Sequence, residues 1–211
     1  SVADVFQDMI ERSVPGYGLV LQLTGVLAEK YGQQDTRAYD LGCSLGASTL
    51  QLRRHLPDGC HVIGVDNSEA MVSRCKANLS RDHSAATYEI LLEDLRETNI
   101  QNASIVILNF TLQFVPDEQR KNILTHIFEG LNSGGILLLA EKVKFEDPAE
   151  QALMTALHHD FKKQHGYSHL EISQKRAALE NVLLPNTEKQ HRQRMRDAGF
   201  SVVEQCMRCL N

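Results

Sequence analysis

The chain has 211 residues, 42% of them apolar and 23% charged, with a formal net charge of −5. That composition excludes a disordered chain, whose apolar content would not offset the entropy of ordering, and the length suits one well-packed domain rather than two. The longest apolar stretch, Gly135–Ala140, is far short of the ~20 residues that span a bilayer, and an acidic balance argues against strong direct nucleic-acid binding, which rests on phosphate contacts.

Val2–Ile10 and Gly18–Tyr31 carry apolar residues at helical spacing, separated by the turn signal Val14-Pro15-Gly16. Arg37–Leu41 reads as a short strand running into Gly42 and Gly46, followed by a helix over Ala47–His55 that Pro57-Asp58-Gly59 ends. His61–Asp66 is a second strand, and Asn67 or Ser68 caps a helix through Leu79. Thr87–Glu93 and Ser104–Phe110 are the third and fourth strands. Asp117–Leu131 is a helix closed by Asn132-Ser133-Gly134-Gly135, and Gly135–Val143 is the fifth strand. Asp147 to about Leu184 breaks the rhythm as a polar helical insert rich in His and Lys, the kind of segment that often serves as a lid or substrate-binding element. Thr187–Ala198 is a helix, and Ser201–Asn211 reads as a sixth strand.

Strands that are continuous apolar runs, alternating with helices, mean a parallel sheet buried on both faces. The expected architecture is a single doubly wound, mostly parallel α/β domain over residues 1–211, with N-terminal helices and a helical insert at about 147–184. The basic run Lys189–Arg196 reads as the solvated face of a helix. Five cysteines, an odd number, suggest reduced thiols in a cytoplasmic protein. Cys206 and Cys209 sit on the expected last strand, where residues three apart point to opposite faces, so the pair reads as structural. No secretory signal segment opens the chain. Its start at Ser1 leaves a native N-terminus expected upstream, and a C-terminal segment is expected beyond Asn211.

Asp40-Leu41-Gly42-Cys43-Ser44-Leu45-Gly46 lies between a strand and a helix, where open parallel sheets bind ligands. A dinucleotide site would require G-x-G-x-x-G, which the Gly42-x-x-x-Gly46 spacing does not supply. The letters G-x-S-x-G also match a hydrolase elbow, but this is the first strand, with little before it to build an oxyanion loop. S-adenosylmethionine fits better. Asp40 binds the methionine ammonium or orients the loop, and Gly42 and Gly46 clear space for the methionyl part. Asp66 takes the ribose hydroxyls, Asp94 beside Leu95 takes the adenine amino group, and Asn109 faces the same crevice. Four successive strand ends carrying Asp40, Asp66, Asp94 and Asn109 are more specific than the loop alone. No ligand set for a metal emerges from the histidines, cysteines and carboxylates.

This constellation resembles the class I methyltransferase fold. Arg12-Ser13-Val14-Pro15-Gly16-Tyr17, Tyr39–Gly46, Asp66-Asn67-Ser68, Leu108–Phe114, His158–Lys162 and Glu171–Arg176 together resemble the carboxy-S-adenosylmethionine synthase family from end to end. The resemblance implies conversion of S-adenosyl-L-methionine and prephenate to carboxy-S-adenosyl-L-methionine and phenylpyruvate, with no metal. The product would serve a partner tRNA uridine carboxymethyltransferase that modifies the wobble position. It implies a homodimer, and nucleoside and methionine contacts from Tyr17, Gly42, Cys43, Ser44, Asp66, Asn67, Asp94, Leu95 and Asn109. Arg176 would hold the added carboxylate. A sulfonium methyl that loses its proton gives an ylide able to attack carbon dioxide, and a closed pocket would confine both and exclude water. A guanidinium can bind the new carboxylate bidentately. A conventional methyltransferase and a non-catalytic S-adenosylmethionine-binding subunit of a tRNA-modifying system remain as alternatives.

Overall fold

In the computed structural model, which describes residues 2–211, the apolar runs become five parallel strands: β1 Arg37–Leu41, β2 His61–Asp66, β3 Thr87–Leu92, β4 Ala103–Asn109 and β5 Leu131–Ala140. Their order is β3-β2-β1-β4-β5, so the chain winds outward from β1 through β2 to β3, then returns to β1's other side for β4. The reversal leaves a crevice at the carboxyl ends of β1 and β4, the switch point of the sheet. Helices α1 Val2–Ser13 and α2 Tyr17–Tyr31 precede β1. Then α3 Ala47–His55, α4 Glu69–Leu79 and α5 Asp117–Gly130 follow β1, β2 and β4 in turn. The insert folds as α6 Pro148–Gln164 and α7 His169–Leu179, and α8 Glu188–Asp197 comes last.

β4 shows why the runs are unbroken. Ile105 and Ile107 face a cluster with Ala28, Leu52 and Val62, while Val106 and Leu108 face Tyr39, Leu41, Leu124 and Ile127 on the other side. All four are buried, and each such side chain contributes about 1.5–3 kcal/mol relative to exposure. Two arginines brace the loops. Arg53 is buried on α3, stacks over Tyr88 at 4.3 Å, pairs with Asp82 at 3.0 Å and donates to the carbonyls of Ala86 and Ser84. Arg120, wholly buried on α5, donates to the carbonyls of Val115, Gln113 and Leu184 and to Asn186 Oδ1. It thereby ties the end of the insert to the loop after β4. No helix among the described residues is long and apolar enough to cross a membrane.

Two expectations are corrected. Residues 201–211 form no strand; they run as irregular chain, with Val202 74% exposed. Side-chain contacts hold this tail instead: Arg192 donates to the Val203 carbonyl at 2.7 Å, and Arg208 lies over the Phe145 ring at 5.3 Å. The alternation of Val202, Val203 and Met207 signalled a strand, but a strand also needs a partner for its backbone groups, which local pattern does not specify. Cys206 and Cys209 are accordingly exposed free thiols rather than residues on opposite faces of a sheet. Residues 132–135, read as a closing turn, lie within β5 as an irregularity at which the register jumps from Ala103↔Leu131 to Ile105↔Ile136.

Candidate functional site

The loop after β1 turns sharply because Gly42 and Gly46 adopt φ of +85° and +89°, a region that costs an L-residue about 1–2 kcal/mol. Space is as restrictive as angle. A Cβ on Gly42 would fall 2.3 Å from Thr111 Oγ1, and one on Gly46 2.8 Å from Cys75 Sγ. Ser44 follows with φ +48°, and Phe110, beside it at the end of β4, has φ +56°. Two non-glycine residues held in the left-handed region at one rim are the pattern of a ligand-facing turn.

Asp66 closes the loop from β2. Its Oδ2 accepts the Ser44 N–H at 3.0 Å and its Oδ1 the Ser68 N–H at 2.9 Å. The carboxylate is fixed in place, and each oxygen keeps a lone pair for a further donor. Ser68 caps α4 through its side chain. Asp94, just past β3, is gripped by Arg96, whose Nε reaches its oxygens at 2.9 and 3.0 Å. That hydrogen bonding holds the Asp94 carboxyl below the usual carboxylate range.

A cleft of about 340 Å³ opens here, lined by Gly42, Ser44, Asp66, Asn67, Asp94 and Leu95 from the expected set. Phe6, Glu93, Arg96, Phe110, Thr111 and Phe114 also line it. The other expected residues stand behind or beside it. Asp40 is buried beneath the loop and accepts the Thr49 hydroxyl at 2.7 Å; burial pushes its pKa up to about 6, against the pull of that hydroxyl. Cys43 is buried in a small cluster with Cys75. Asn109 donates to Ser48 Oγ at 2.9 Å, and its Oδ1 is buried without a partner. The Tyr17 ring packs 6.3 Å from that of Phe110, and burial, with the negative charges of Asp40 and Glu11, raises its pKa to about 12. Arg176 is exposed on α7, with the cation Lys142 and the imidazole of His159 in its surroundings.

Sequence reasoning missed Arg96, Phe110, Thr111 and Phe114. Phe110-Thr111 directly follows Asn109 at a strand end, so position alone was a usable signal; nothing local announces that Arg96 folds back onto Asp94. Among the described residues no group of three or more His, Cys, Asp or Glu gathers as metal ligands would.

The cleft lining suits an adenosyl sulfonium compound: the left-handed Gly42 turn brings backbone to its floor, and Asp66 offers an anchored carboxylate with free lone pairs. Residues 38–135 match the family described as a methyltransferase domain. Curated relatives named carboxy-S-adenosyl-L-methionine synthase match the whole chain. That of Vibrio vulnificus strain YJ016 is 50% identical over 211 residues, covering 100% of this chain and 86% of its own. That of Trichlorobacter lovleyi is 52% identical over 213 residues, covering 100% and 87%. Among solved structures, the cyclopropane synthase MmaA2 from Mycobacterium tuberculosis superposes with a TM-score of 0.66 at 14% identity, over 87% of this chain and 60% of that one. A complex of the Haloferax volcanii Trm112 methyltransferase activator with its methyltransferase gives 0.65 at 18% identity, over 96% and 76%. At such identities these likenesses establish the fold: a class I, Rossmann-like methyltransferase architecture.

Proposed function

The chain belongs to the carboxy-S-adenosyl-L-methionine synthase family, and from that premise we propose that it converts S-adenosyl-L-methionine and prephenate to carboxy-S-adenosyl-L-methionine and phenylpyruvate. The observation that carries this reading is identity of 50–52% with synthases of that name along the whole chain. The balance is simple. Prephenate loses its ring carboxyl as carbon dioxide and its ring hydroxyl as hydroxide, gaining aromaticity. The donor methyl gives up a proton, which makes water with that hydroxide, and forms a carbon–carbon bond to the carbon dioxide.

In this reading the chain's own residues take these roles. Asp66 receives the ribose hydroxyls on the lone pairs left free by Ser44 and Ser68. Asp94 and Leu95 take the adenine edge and face. Asp40 stiffens the loop from below through Thr49, and Asn109, bonded to Ser48, braces the end of β4 behind the cleft. Phe110 and Phe114 wall the cleft with apolar surface, which keeps water from the reacting carbon. Arg176, carried on the insert, closes on the new carboxylate as a bidentate donor. Exposed Leu153, Leu157 and Leu170 on α6 and α7 suit burial in a homodimer that steadies the insert. The product then serves as carboxymethyl donor to a partner enzyme acting on tRNA wobble uridine.

The test is incubation with S-adenosyl-L-methionine and prephenate, followed by mass analysis of the released nucleoside. A product heavier by one carbon dioxide, formed together with phenylpyruvate, supports the reading. Unchanged donor, or S-adenosylhomocysteine alone, refutes it.

A further inference from the structure

The adenine end of the cleft is bounded by a side chain that none of the roles above uses. Arg96 follows Asp94 and Leu95 past β3 and lines the cleft with them. Its guanidinium is pinned at both ends. Nε lies 2.9 and 3.0 Å from the two Asp94 oxygens, Nη2 also donates to Asp94 Oδ2, and the Arg96 backbone N–H donates to Oδ1 at 2.9 Å. At the far end Nη1 donates to Gln119 Oε1 at 2.7 Å, in the first turn of α5. The loop carrying Arg96 is fixed as well: the Asp94 carbonyl accepts the Glu97 N–H at 2.9 Å, and His126 Nε2 of α5 donates to the Thr98 carbonyl at 3.0 Å. Asp94 and Arg96 keep 28% and 47% of their side chains exposed. An ion pair that open adds little to folding stability, yet this one is bidentate and anchored on a third side chain. Holding a guanidinium so firmly costs rotamer entropy, which points to a use in positioning.

A second cavity, of about 210 Å³, adjoins the cleft at this point. Leu95 and Arg96 line both spaces. Buried Ile100, Ile123 and Ile127 give the second one an apolar lining, and Gln119 and His126, which hold the Arg96 loop, belong to it too. Apolar cavities of about 150 Å³ take a benzene ring, so this one has room for a substituent of that size. The adenine seat assigned to Asp94 and Leu95 brings the 6-amino edge of the base against the Arg96 side chain.

We infer that Arg96 is the specificity-determining end wall of the adenine slot, pinned between Asp94 and Gln119 so that the cleft admits an unsubstituted 6-amino purine and is closed to the cavity beyond. The inference rests on the adenosyl reading of the cleft and adds a size limit to it. The ligands refused are adenosyl compounds that carry a bulky group on the 6-amino nitrogen. Removing the guanidinium joins the two spaces and offers such a group the isoleucine-lined cavity.

The experiment uses the full chain and the variants Arg96→Ala, Arg96→Lys and Gln119→Ala. Calorimetry measures the Kd of S-adenosylhomocysteine and of its N6-benzyl derivative, with Tm as a check on folding. Overpacking against the pinned wall should make the benzyl compound bind wild type about tenfold to a hundredfold more weakly than the parent. Arg96→Ala should bring the two within about threefold, mainly by strengthening the benzyl compound. Arg96→Lys, which keeps a long side chain, should stay selective. Gln119→Ala unpins the outer nitrogen without touching Asp94 and should recover part of the benzyl affinity, so the wall is judged even if Arg96→Ala does not fold. Equal binding of the two compounds by wild type, or undiminished exclusion in both alanine variants, overturns the wall. So does a parallel loss of both ligands in Arg96→Ala, which a merely structural role would give. If wild type binds neither compound, the adenosyl reading itself fails and the wall falls with it.

Discussion

Gly42→Ala is the sharpest test of how the adenosyl loop is built. The substitution forces alanine into φ +85°, at about 1–2 kcal/mol. It also drives a methyl to within 2.3 Å of Thr111 Oγ1 and 2.5 Å of Thr111 Cγ2, overpacking that costs about 1–3 kcal/mol. The sum, about 2–5 kcal/mol, corresponds to a Tm drop of roughly 5–15 °C for a chain of this size. The two parts can be separated. Thr111→Ala removes both offending atoms and leaves Thr111 Cβ at 3.0 Å; alone it loses one hydroxyl bond to the Asn109 carbonyl. The double variant should therefore recover the steric share, giving a coupling of about 1–3 kcal/mol in a double-mutant cycle by urea unfolding, while the backbone share persists. A Gly42→Ala protein as stable as wild type would refute the reasoning. So would strict additivity with Thr111→Ala, because the clash would then have been relieved by loop movement.

Asp66→Ala should weaken S-adenosyl-L-methionine, its carboxylated form and S-adenosylhomocysteine alike in calorimetry; selective loss of one would show the ribose lies elsewhere. Arg176→Ala should reduce affinity for the carboxylated compound by about tenfold while sparing S-adenosyl-L-methionine, and equal losses would remove its assigned role. Glu141 accepts the Gln113 N–H, and burial raises its pKa from 4.5 to about 8. A carboxyl raised on folding binds more protons in the folded than in the unfolded state between those values. Its contribution to stability is thus fully present below about pH 4.5 and is lost as pH climbs through about 8. Glu141→Gln should flatten that fall in pH-dependent unfolding, and an unchanged slope would count against the assignment.

The strand-end residues were legible in the sequence because unbroken apolar runs mark buried parallel strands, and the residue after each run must emerge at the ligand-binding edge. Which way that residue turns was not legible. Asp66 and Asp94 face the cleft, whereas Asp40 turns under the loop to Thr49 and Asn109 turns to Ser48, choices made by neighbours distant in sequence. The sixth strand failed differently: alternation is a local property, while pairing depends on an available edge and register.

The position of β1 bears on how the molecule is made. Its two neighbours are reached at very different times: β2 after a single helix, β4 only after β2, α4 and β3 have been laid down. During synthesis, β1 with its apolar flanks has one edge unpaired until the chain has emerged past Asn109, so contacts such as Arg37 with Ala103 close late. Pairings this remote slow folding and leave early chains exposed to edge-to-edge association. The loop that cradles the adenosyl group is borne directly on that strand. Although encoded near the start of the chain, it acquires its final shape among the last parts of the sheet.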